Sequence, residues 1–237
     1  MTAILLQPIQ STLQRWQQYL MPGTCLLCAD DSGSALLCPA CSADLPTLPE
    51  IRCPQCGEQT THGERCGACL KDPPAFTRTH ALFRYEFPLD RLIQALKYGH
   101  QLALAAWAGD QLAPIIEAAD YDSLIPLPLH PLRLRERGFN QSIEIARRLA
   151  RHTGLPLDHQ SLIRRRATAP QAELAIKERA RNVRGAFECQ RDLSGRRLLL
   201  IDDVMTTGAT LREAARVLAL HGATRIDLAV IARALKH

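Results

Sequence analysis

Eight of the nine cysteines lie in the first third of the chain, as four CxxC pairs whose spacing repeats. Nine residues separate the first pair from the second, and nine separate the third from the fourth. The pairs are Cys25/Cys28, Cys38/Cys41, Cys53/Cys56 and Cys66/Cys69. Two thiolates three residues apart on a tight turn can occupy adjacent corners of a tetrahedron, so two such pairs complete a four-thiolate zinc site. The duplicated pattern therefore predicts two structural Zn²⁺ ions in a double zinc ribbon.

The other uses of clustered cysteines are disulfides and redox CxxC motifs. A cytoplasmic location argues against disulfides, and four redox motifs within one short segment would be unusual. Four pairs can combine in three ways, and we favour sequential pairing because it closes the shorter loops. The ribbons could serve as a contact surface for protein or nucleic acid, or only as a structural staple. Cys189, distant from the others, is expected to be a half-buried strand residue.

Beyond Pro73 and Pro74 the pattern changes to alternating strands and helices. Strands are predicted over Thr79–Phe87, Ser123–Leu129, Arg197–Ile201 and Arg225–Ala232. Helices are predicted over Leu89–Tyr98 and Gln101–Ala119, from Phe139 to just before Gly154, and from Leu211 to an end at Gly222. This alternation predicts a doubly wound α/β fold with ligands at the carboxyl ends of the strands. The predicted domains are an N-terminal helical segment over 1–22 (amphipathic over Ser11–Leu20), the zinc ribbons over 23–72 and the α/β domain over 78–237.

The segment Leu198–Leu211, LLLIDDVMTTGATL, places chemistry where that rule expects it. Asp202 and Asp203 follow the apolar strand, and a threonine- and glycine-containing turn leads into a helix. Backbone N–H groups of such a turn converge on a phosphate, and the helix N-terminus adds favourable potential. Adjacent carboxylates would repel this anion unless they bind hydroxyl groups or a hydrated Mg²⁺.

IDDVMTTGAT resembles the phosphoribosyl-pyrophosphate (PRPP) signature of type I phosphoribosyltransferases. The resemblance implies that Asp203 and Asp202 contact the ribose 2′- and 3′-hydroxyls as catalytic residues, with Mg²⁺ bound together with PRPP. It also implies a loop that holds the 5′-phosphate. The residues of this loop are Met205, Thr206, Thr207, Gly208, Ala209 and Thr210.

The wider pattern is similar to the ComF family of competence proteins (ComFC- and GntX-like members), which are linked to natural transformation, DNA uptake and DNA utilisation. The motifs that carry this similarity are the zinc ribbons, ALKYG (Ala95–Gly99), IPLPLHPLRLRERGFNQS (Ile125–Ser142), the phosphate signature and RRRATAPQAELAIKERARNVRGAF (Arg164–Phe187). The family fold implied is the type I phosphoribosyltransferase fold, a parallel sheet flanked by helices, behind an N-terminal zinc-ribbon domain.

The resemblance further implies a pyrophosphate loop over Pro126–Pro131 and a mobile lid over Arg164–Arg184. A departing pyrophosphate needs cations and a water-excluding lid while charge develops on it. The residues proposed for these tasks are Pro128, Leu129, Arg133, Arg135, Arg137, Thr168, Gln171 and Arg179, with Asn182 also at the family's spacing. Asn140 is expected to cap the helix that follows it.

The positive charge is concentrated in one region. The net charge of +5 combines −3 over residues 1–119 with +8 over 120–237, and residues 133–184 alone hold 13 basic and 5 acidic side chains. This distribution favours a polyanionic ligand, although a solvated surface is the alternative. Phe139 and Phe187 are the aromatics of this region, which weakens a base-stacking platform for single-stranded DNA.

Three functions remain open on the sequence alone. The first is an Mg²⁺-dependent phosphoribosyltransferase with an unidentified acceptor. The second is a non-catalytic protein that senses PRPP or a nucleotide. The third is an accessory protein that binds single-stranded DNA, together with a helicase-like uptake partner. No apolar run approaches the roughly 20 residues of a membrane helix, and the N-terminus lacks signal-peptide character, so we expect no membrane insertion and a cytoplasmic location.

Overall fold

The computed structural model describes residues 23–167 and 181–235. The chain divides into two compact units, Met1–Leu45 and Pro46–His237. The predicted helix over Ser11–Leu20 lies outside the described residues. The four thiols of the first zinc ribbon belong to the first unit, and those of the second ribbon belong to the second unit, which also contains the main sheet.

In the first unit, strands β1 (Gly23–Thr24) and β2 (Asp31–Gly33) pair antiparallel, and the short helix α1 (Pro39–Ala43) follows. Its counterpart in the second unit is α2 (Gly67–Lys71). Each helix begins after the first cysteine of a CxxC pair, with Cys38 and Cys66 as the N-cap residues. The second cysteine of each of these two pairs, Cys41 or Cys69, therefore lies in the first turn of a helix.

The duplication extends to individual backbone hydrogen bonds. The N–H of Ala29 donates to the carbonyl of Cys25, and in the second ribbon the N–H of Gly57 donates to the carbonyl of Cys53, each at 2.9 Å. Ala29 and Gly57 both have positive φ, at 62° and 73°. This left-handed residue reverses the chain after each first CxxC pair, and glycine adopts it at lower cost than alanine.

The thiols group by sequential pairing, as predicted. The four sulfurs of each group, Cys25, Cys28, Cys38 and Cys41 or Cys53, Cys56, Cys66 and Cys69, all lie within 4.8 Å of one another. The Cys28 and Cys38 sulfurs are 3.7 Å apart and those of Cys56 and Cys66 are 3.5 Å apart. A tetrahedron with Zn–S bonds of about 2.3 Å places its sulfurs about 3.8 Å apart. Both groups therefore fit a four-thiolate Zn²⁺ ion.

The main sheet of the second unit contains four parallel strands in the order β3 (Arg78–Arg84), β8 (Arg225–Arg233), β7 (Arg197–Met205) and β4 (Ser123–Pro126). A separate antiparallel pair joins β5 (Leu162–Arg164) to β6 (Phe187–Cys189). The two central strands are almost continuously apolar and buried, as expected where both faces of a parallel sheet are covered. The β-α alternation thus produces the predicted parallel sheet.

In the described part of this unit, four longer helices accompany the sheet: α3 (Leu89–Tyr98), α4 (Ala103–Leu112), α6 (Gln141–Thr153) and α7 (Ala209–Leu220), with the two-turn α5 (Pro131–Arg137) before α6. Helices α4 and α6 pack on each other and on the sheet, whereas α7 packs on β7, β8 and β6. One apolar cluster combines α7 and alternate residues of β7 and β8 with Cys53, Cys56 and Cys69. The second ribbon is therefore part of the core of this unit. Among the described residues, no helix is both long and apolar enough to span a bilayer.

Several predicted boundaries need correction. The single helix over Gln101–Ala119 is wrong: α4 ends at Leu112, and two 3₁₀ turns follow, Ala113–Ile115 and Ala118–Asp120. Pro114 explains the change, because its ring clashes with the preceding turn and it lacks the N–H that an α-helix requires.

The strand boundaries also differ from the predictions. β3 ends at Arg84, which pairs with the last residue of β8, Arg233. β4 ends at Pro126, where Pro126 and Pro128 lack the N–H that the ladder requires. β7 continues past Ile201 through Met205, so Asp202 and Asp203 lie within the strand. Cys189 is a strand residue as predicted, although it is buried and not half-buried.

Candidate functional site

Two adjacent carboxylates lie near the carboxyl end of the central strand β7. Asp202 and Asp203 are only 8% and 3% exposed. The Ser142 hydroxyl, in the first turn of α6, donates to Asp202 Oδ1 at 2.9 Å. Lys97 Nζ, in the last turn of α3, lies 2.7 Å from Asp203 Oδ2. Three separate elements therefore meet at this pair.

The pair contains more negative charge than the nearby cations neutralise. Burial, together with the charge of Asp203, raises the pKa of Asp202 to about 7, although Lys97 and the hydrogen bond from Ser142 act in the opposite direction. Burial lowers the pKa of Lys97, but Asp203 and Asp202 outweigh burial and leave its pKa above the ordinary value. Lys97 is thus a firmly charged partner of Asp203, and Asp202 titrates close to neutral pH.

The turn between β7 and α7 presents backbone donors. Gly208 is the N-cap of α7 and has φ of 77°; a Cβ atom there would lie 2.7 Å from Met205 Cε. Within the described part of the chain, the backbone N–H groups of Thr206, Thr207 and Gly208 donate to no protein acceptor. The N–H of Ala209 donates to the Thr207 hydroxyl at 3.4 Å. Unpaired N–H groups at a helix N-terminus form a site for an anion.

The loop predicted to hold pyrophosphate follows β4 and lies against β7. Leu127 N–H donates to the carbonyl of Ile201 at 2.8 Å. Asn140 caps α6 as predicted, accepting from the N–H of Ser142 at 2.9 Å, and its amide donates to the Leu127 carbonyl at 3.0 Å. Asn140 thus connects this loop to the start of α6, whose Ser142 hydroxyl donates to Asp202. Pro128 and Leu129, the next residues of the loop, are half-buried.

The predicted arginines of this region lie on α5 but differ in their surroundings. Arg137 donates to Gln141 Oε1 at 2.8 Å and its guanidinium carbon lies 5.5 Å from the Tyr98 ring centroid. Arg133 pairs with Glu136 at 3.1 Å, and Arg135 is exposed. Tyr98 directly follows Lys97, so the end of α5 lies beside the α3 terminus that reaches the acidic pair.

The predicted lid begins at the end of β5 and ends just before β6. Arg164 ends β5 and lies over the Phe187 ring, with its guanidinium carbon 5.5 Å from the ring centroid. Burial lowers the pKa of Arg164, whereas the charge of Asp202 raises it. At the other end, Gly185 N–H donates to Glu213 Oε1 on α7 at 2.7 Å. Thr168, Gln171 and Arg179 lie outside the described residues.

A cavity of about 480 Å³ opens at the opposite end of the sheet, where the strands begin. Its lining includes Ser123, the first residue of β4, and Arg196, which directly precedes β7. Asp202 of the acidic pair and the turn after β7 line a smaller cavity. Parallel α/β sheets bind ligands outside the carboxyl ends of their strands. We therefore take the smaller cavity, where the carboxylates and unpaired N–H groups meet, as the candidate site.

Comparisons with known proteins give the family. A model of the double zinc ribbon domain matches residues 16–70, and a model of the phosphoribosyl transferase domain matches residues 140–236. "DNA utilization protein YhgH" of Escherichia coli (strain K12) is 34% identical over 225 residues, which cover 91% of this chain and 99% of that protein. The chain belongs to the ComF/YhgH family. "Competence protein F" of Haemophilus influenzae is 30% identical over 84% of this chain and 90% of its own length. "Competence protein ComFC" of Bacillus subtilis is 25% identical over 77% of each.

The phosphoribosyltransferase fold and the two four-cysteine zinc-ribbon sites of this ComF/YhgH-family chain agree with the sequence predictions. Three residues of the site were not identified individually: Lys97, Ser142 and Arg164. All three lie in motifs that carried the family resemblance, Lys97 in ALKYG and Ser142 at the end of GFNQS. The available signal was membership of these motifs, together with the single charged residue of ALKYG for Lys97.

Proposed function

We propose that this chain binds PRPP or a related ribose 5-phosphate at the β7–α7 junction, with Mg²⁺, and acts as a phosphoribosyltransferase. The single observation that supports this most is the buried pair Asp202 and Asp203, followed at once by a turn with three N–H groups that donate to no acceptor among the described residues. Acceptors for sugar hydroxyls and donors for a phosphate are thus adjacent in the chain, which is the combination that a ribose 5-phosphate requires.

In this proposal the ribose 2′- and 3′-hydroxyls donate to Asp203 and Asp202. A carboxylate offers about four acceptor positions. On Asp203, Lys97 occupies one of these acceptor positions and the N–H of Val204, which donates to Oδ1 at 2.9 Å, occupies another. Further acceptor positions on Asp203 remain for a ribose hydroxyl. The 5′-phosphate accepts hydrogen bonds from the Met205–Thr210 loop. Mg²⁺ bound with PRPP would be held through carboxylate oxygens and water and would neutralise pyrophosphate charge.

In the transfer step, the bond from C1′ to pyrophosphate breaks and its electron pair leaves with pyrophosphate. A nucleophilic atom of the acceptor forms the new bond to C1′. Positive groups must stabilise the departing charge, and Arg164 is placed for this task at the base of the lid. Arg135 and Arg137 are further proposed contacts, as are Thr168, Gln171 and Arg179.

Titration calorimetry with PRPP and Mg²⁺ tests the proposal. We expect saturable binding that Asp203→Asn abolishes and that the exposed control Asp192→Asn leaves unchanged. Absence of binding to the wild-type chain would refute both the transferase and a PRPP sensor. Binding without pyrophosphate release across a panel of nucleobases would favour the sensor.

A second candidate function is contact with single-stranded DNA in DNA uptake. The specific observation is that α5 carries three arginines and that one of them, Arg137, lies over the ring of Tyr98, which is 69% exposed. Aromatic rings and cations together bind single strands through stacking and phosphate contacts. DNA affinity that does not fall steeply with salt would contradict this proposal. A helicase-like partner and a cytoplasmic location, where thiols stay reduced, belong to the same proposal.

A further inference from the structure

One buried guanidinium joins the second zinc ribbon to the turn after β7. Arg233, the last residue of β8, is only 4% exposed. On the ribbon side, its Nε donates to the carbonyl of Cys56 at 2.8 Å and its Nη2 lies 3.1 Å from Glu58 Oε2. Gly57 between them is left-handed, with φ of 73°, and packs beside the arginine stem, since a Cβ atom there would be in ordinary contact with Arg233 Cγ at 3.7 Å.

The same side chain holds the start of the phosphate-binding turn. Arg233 Nη1 donates to the carbonyl of Met205 at 3.2 Å and also to the carbonyls of Thr206 and Ala234. In a trans peptide the carbonyl and the N–H of the next residue point in opposite directions. Fixing these two carbonyls therefore directs the N–H groups of Thr206 and Thr207 away from Arg233, and these are two of the three unpaired donors.

A second arginine links the other side of the turn to the other half of the ribbon. Arg212, in the first turn of α7, donates through Nη1 to the Asp72 carbonyl at 2.8 Å. Its Nη2 lies 3.9 Å from Cys69 Sγ. The first CxxC pair of the ribbon is therefore connected to the entry of the turn, and the second pair to its exit.

We infer that Arg233 is a positioning residue through which the second four-cysteine site holds the phosphate-binding turn in shape. The ligand part of this inference rests on the proposed ribose-phosphate function. Guanidinium suits the task because its donors form a rigid planar fork, and here Nε and Nη2 bind the ribbon while Nη1 binds the turn. Zinc in the second site keeps Cys56 and Glu58 where Arg233 needs them, so loss of that zinc loosens the turn.

Hydrogen exchange of the two backbone amides that donate to carbonyls of the turn tests the inference directly. These turn amides are the N–H of Ala234, on the Met205 carbonyl at 3.0 Å, and the N–H of Arg212, on the Gly208 carbonyl at 2.8 Å. We expect Arg233→Met to keep two zinc ions per chain while its turn amides exchange faster. Its affinity for ribose 5-phosphate should fall by roughly tenfold or more, as when a hydrogen bond to a charged group is lost. Arg233→Lys keeps the charge without the fork and should recover only part of the affinity. Unchanged exchange and affinity in Arg233→Met would overturn the inference.

A cysteine comparison tests the same coupling if Arg233→Met fails to fold. Cys53→Ser removes a ligand of the second site, and Cys25→Ser is the matched change in the first site, which belongs to the other compact unit. Faster exchange of the turn amides in Cys53→Ser alone supports the inference, whereas equal exchange in both variants overturns it. If the wild-type chain binds no ribose 5-phosphate, the proposed function fails, yet these exchange rates still decide the coupling.

Discussion

Replacing Asp202 by asparagine should stabilise the chain, increasingly so as the pH rises. Burial and the charge of Asp203 raise the pKa of the Asp202 carboxyl from its ordinary value of 3.8 to about 7. The folded state therefore binds a proton that the unfolded state has released, and the free energy of unfolding falls as pH rises between these values. Asparagine resembles the protonated acid, accepts the same bond from Ser142, and removes this dependence.

The expected magnitude follows from the size of the shift. Each pH unit within the window costs the wild-type chain about 1.4 kcal/mol relative to the variant. Between about pH 5 and about pH 7, where the slope has begun to fall, the free energy of unfolding of Asp202→Asn should therefore gain about 2 kcal/mol on that of the wild type, and the difference should level off above about pH 7.

Urea unfolding followed by circular dichroism, in zinc-containing buffers at a series of pH values, measures this difference. Asp192→Asn is the control. That exposed carboxyl accepts hydrogen bonds from Ser194, which lower its pKa, so its difference curve should have the opposite sign. The reasoning is refuted if the curve for Asp202→Asn is flat or if the variant becomes relatively less stable toward alkaline pH. The same variant should bind ribose 5-phosphate weakly, because the proposed site loses a charged acceptor.

Four further substitutions have distinct signatures. Gly208→Ala forces a left-handed alanine, so chemical denaturation should show a loss of about 1 kcal/mol, and calorimetry should show weaker phosphate binding. Lys97→Met leaves the buried Asp203 carboxylate without its cation and should lower stability by about 3–5 kcal/mol; a loss below about 1 kcal/mol, the range of surface pairs, would contradict the buried pairing. Cys25→Ser and Cys53→Ser should each lose one zinc per chain by atomic absorption, and only Cys53→Ser should lower the main thermal transition of the sheet-containing unit, since that cysteine lies in its core.

Short sequence patterns predicted those features of the structure that depend only on residues close together in the chain. The cap at Asn140, the turn at Gly208 and the thiol pairs are each determined within a few residues, and the structure agrees with the pattern in each case. The partners of the carboxylates could not be found this way. Ser142 is 60 residues from Asp202 in the sequence, and Lys97 reaches Asp203 only because α3 and β7 pack in one unit.

The zinc ribbons show a related limit. Their spacing is identical, yet Cys28 is exposed whereas Cys69 is fully buried. Spacing specifies which thiols share an ion, but the surroundings of each site depend on which other elements pack against it. The pattern therefore could not predict that the second site belongs to the core beneath the sheet, or that Arg233 would connect it to the turn.

The charge balance at the end of β7 explains which kind of ligand suits each part of the site. Asp202 and Asp203 share one close ammonium, that of Lys97, and the unmet charge appears as the raised pKa of Asp202. A buried carboxylate with unmet charge favours hydroxyl donors or a cation and repels a second anion. The turn beyond it has the opposite character, because its unpaired N–H groups and the α7 N-terminus favour a phosphate. A sugar phosphate meets both demands at once, with its hydroxyls at the carboxylates and its phosphate at the turn, whereas inorganic phosphate alone satisfies only the second.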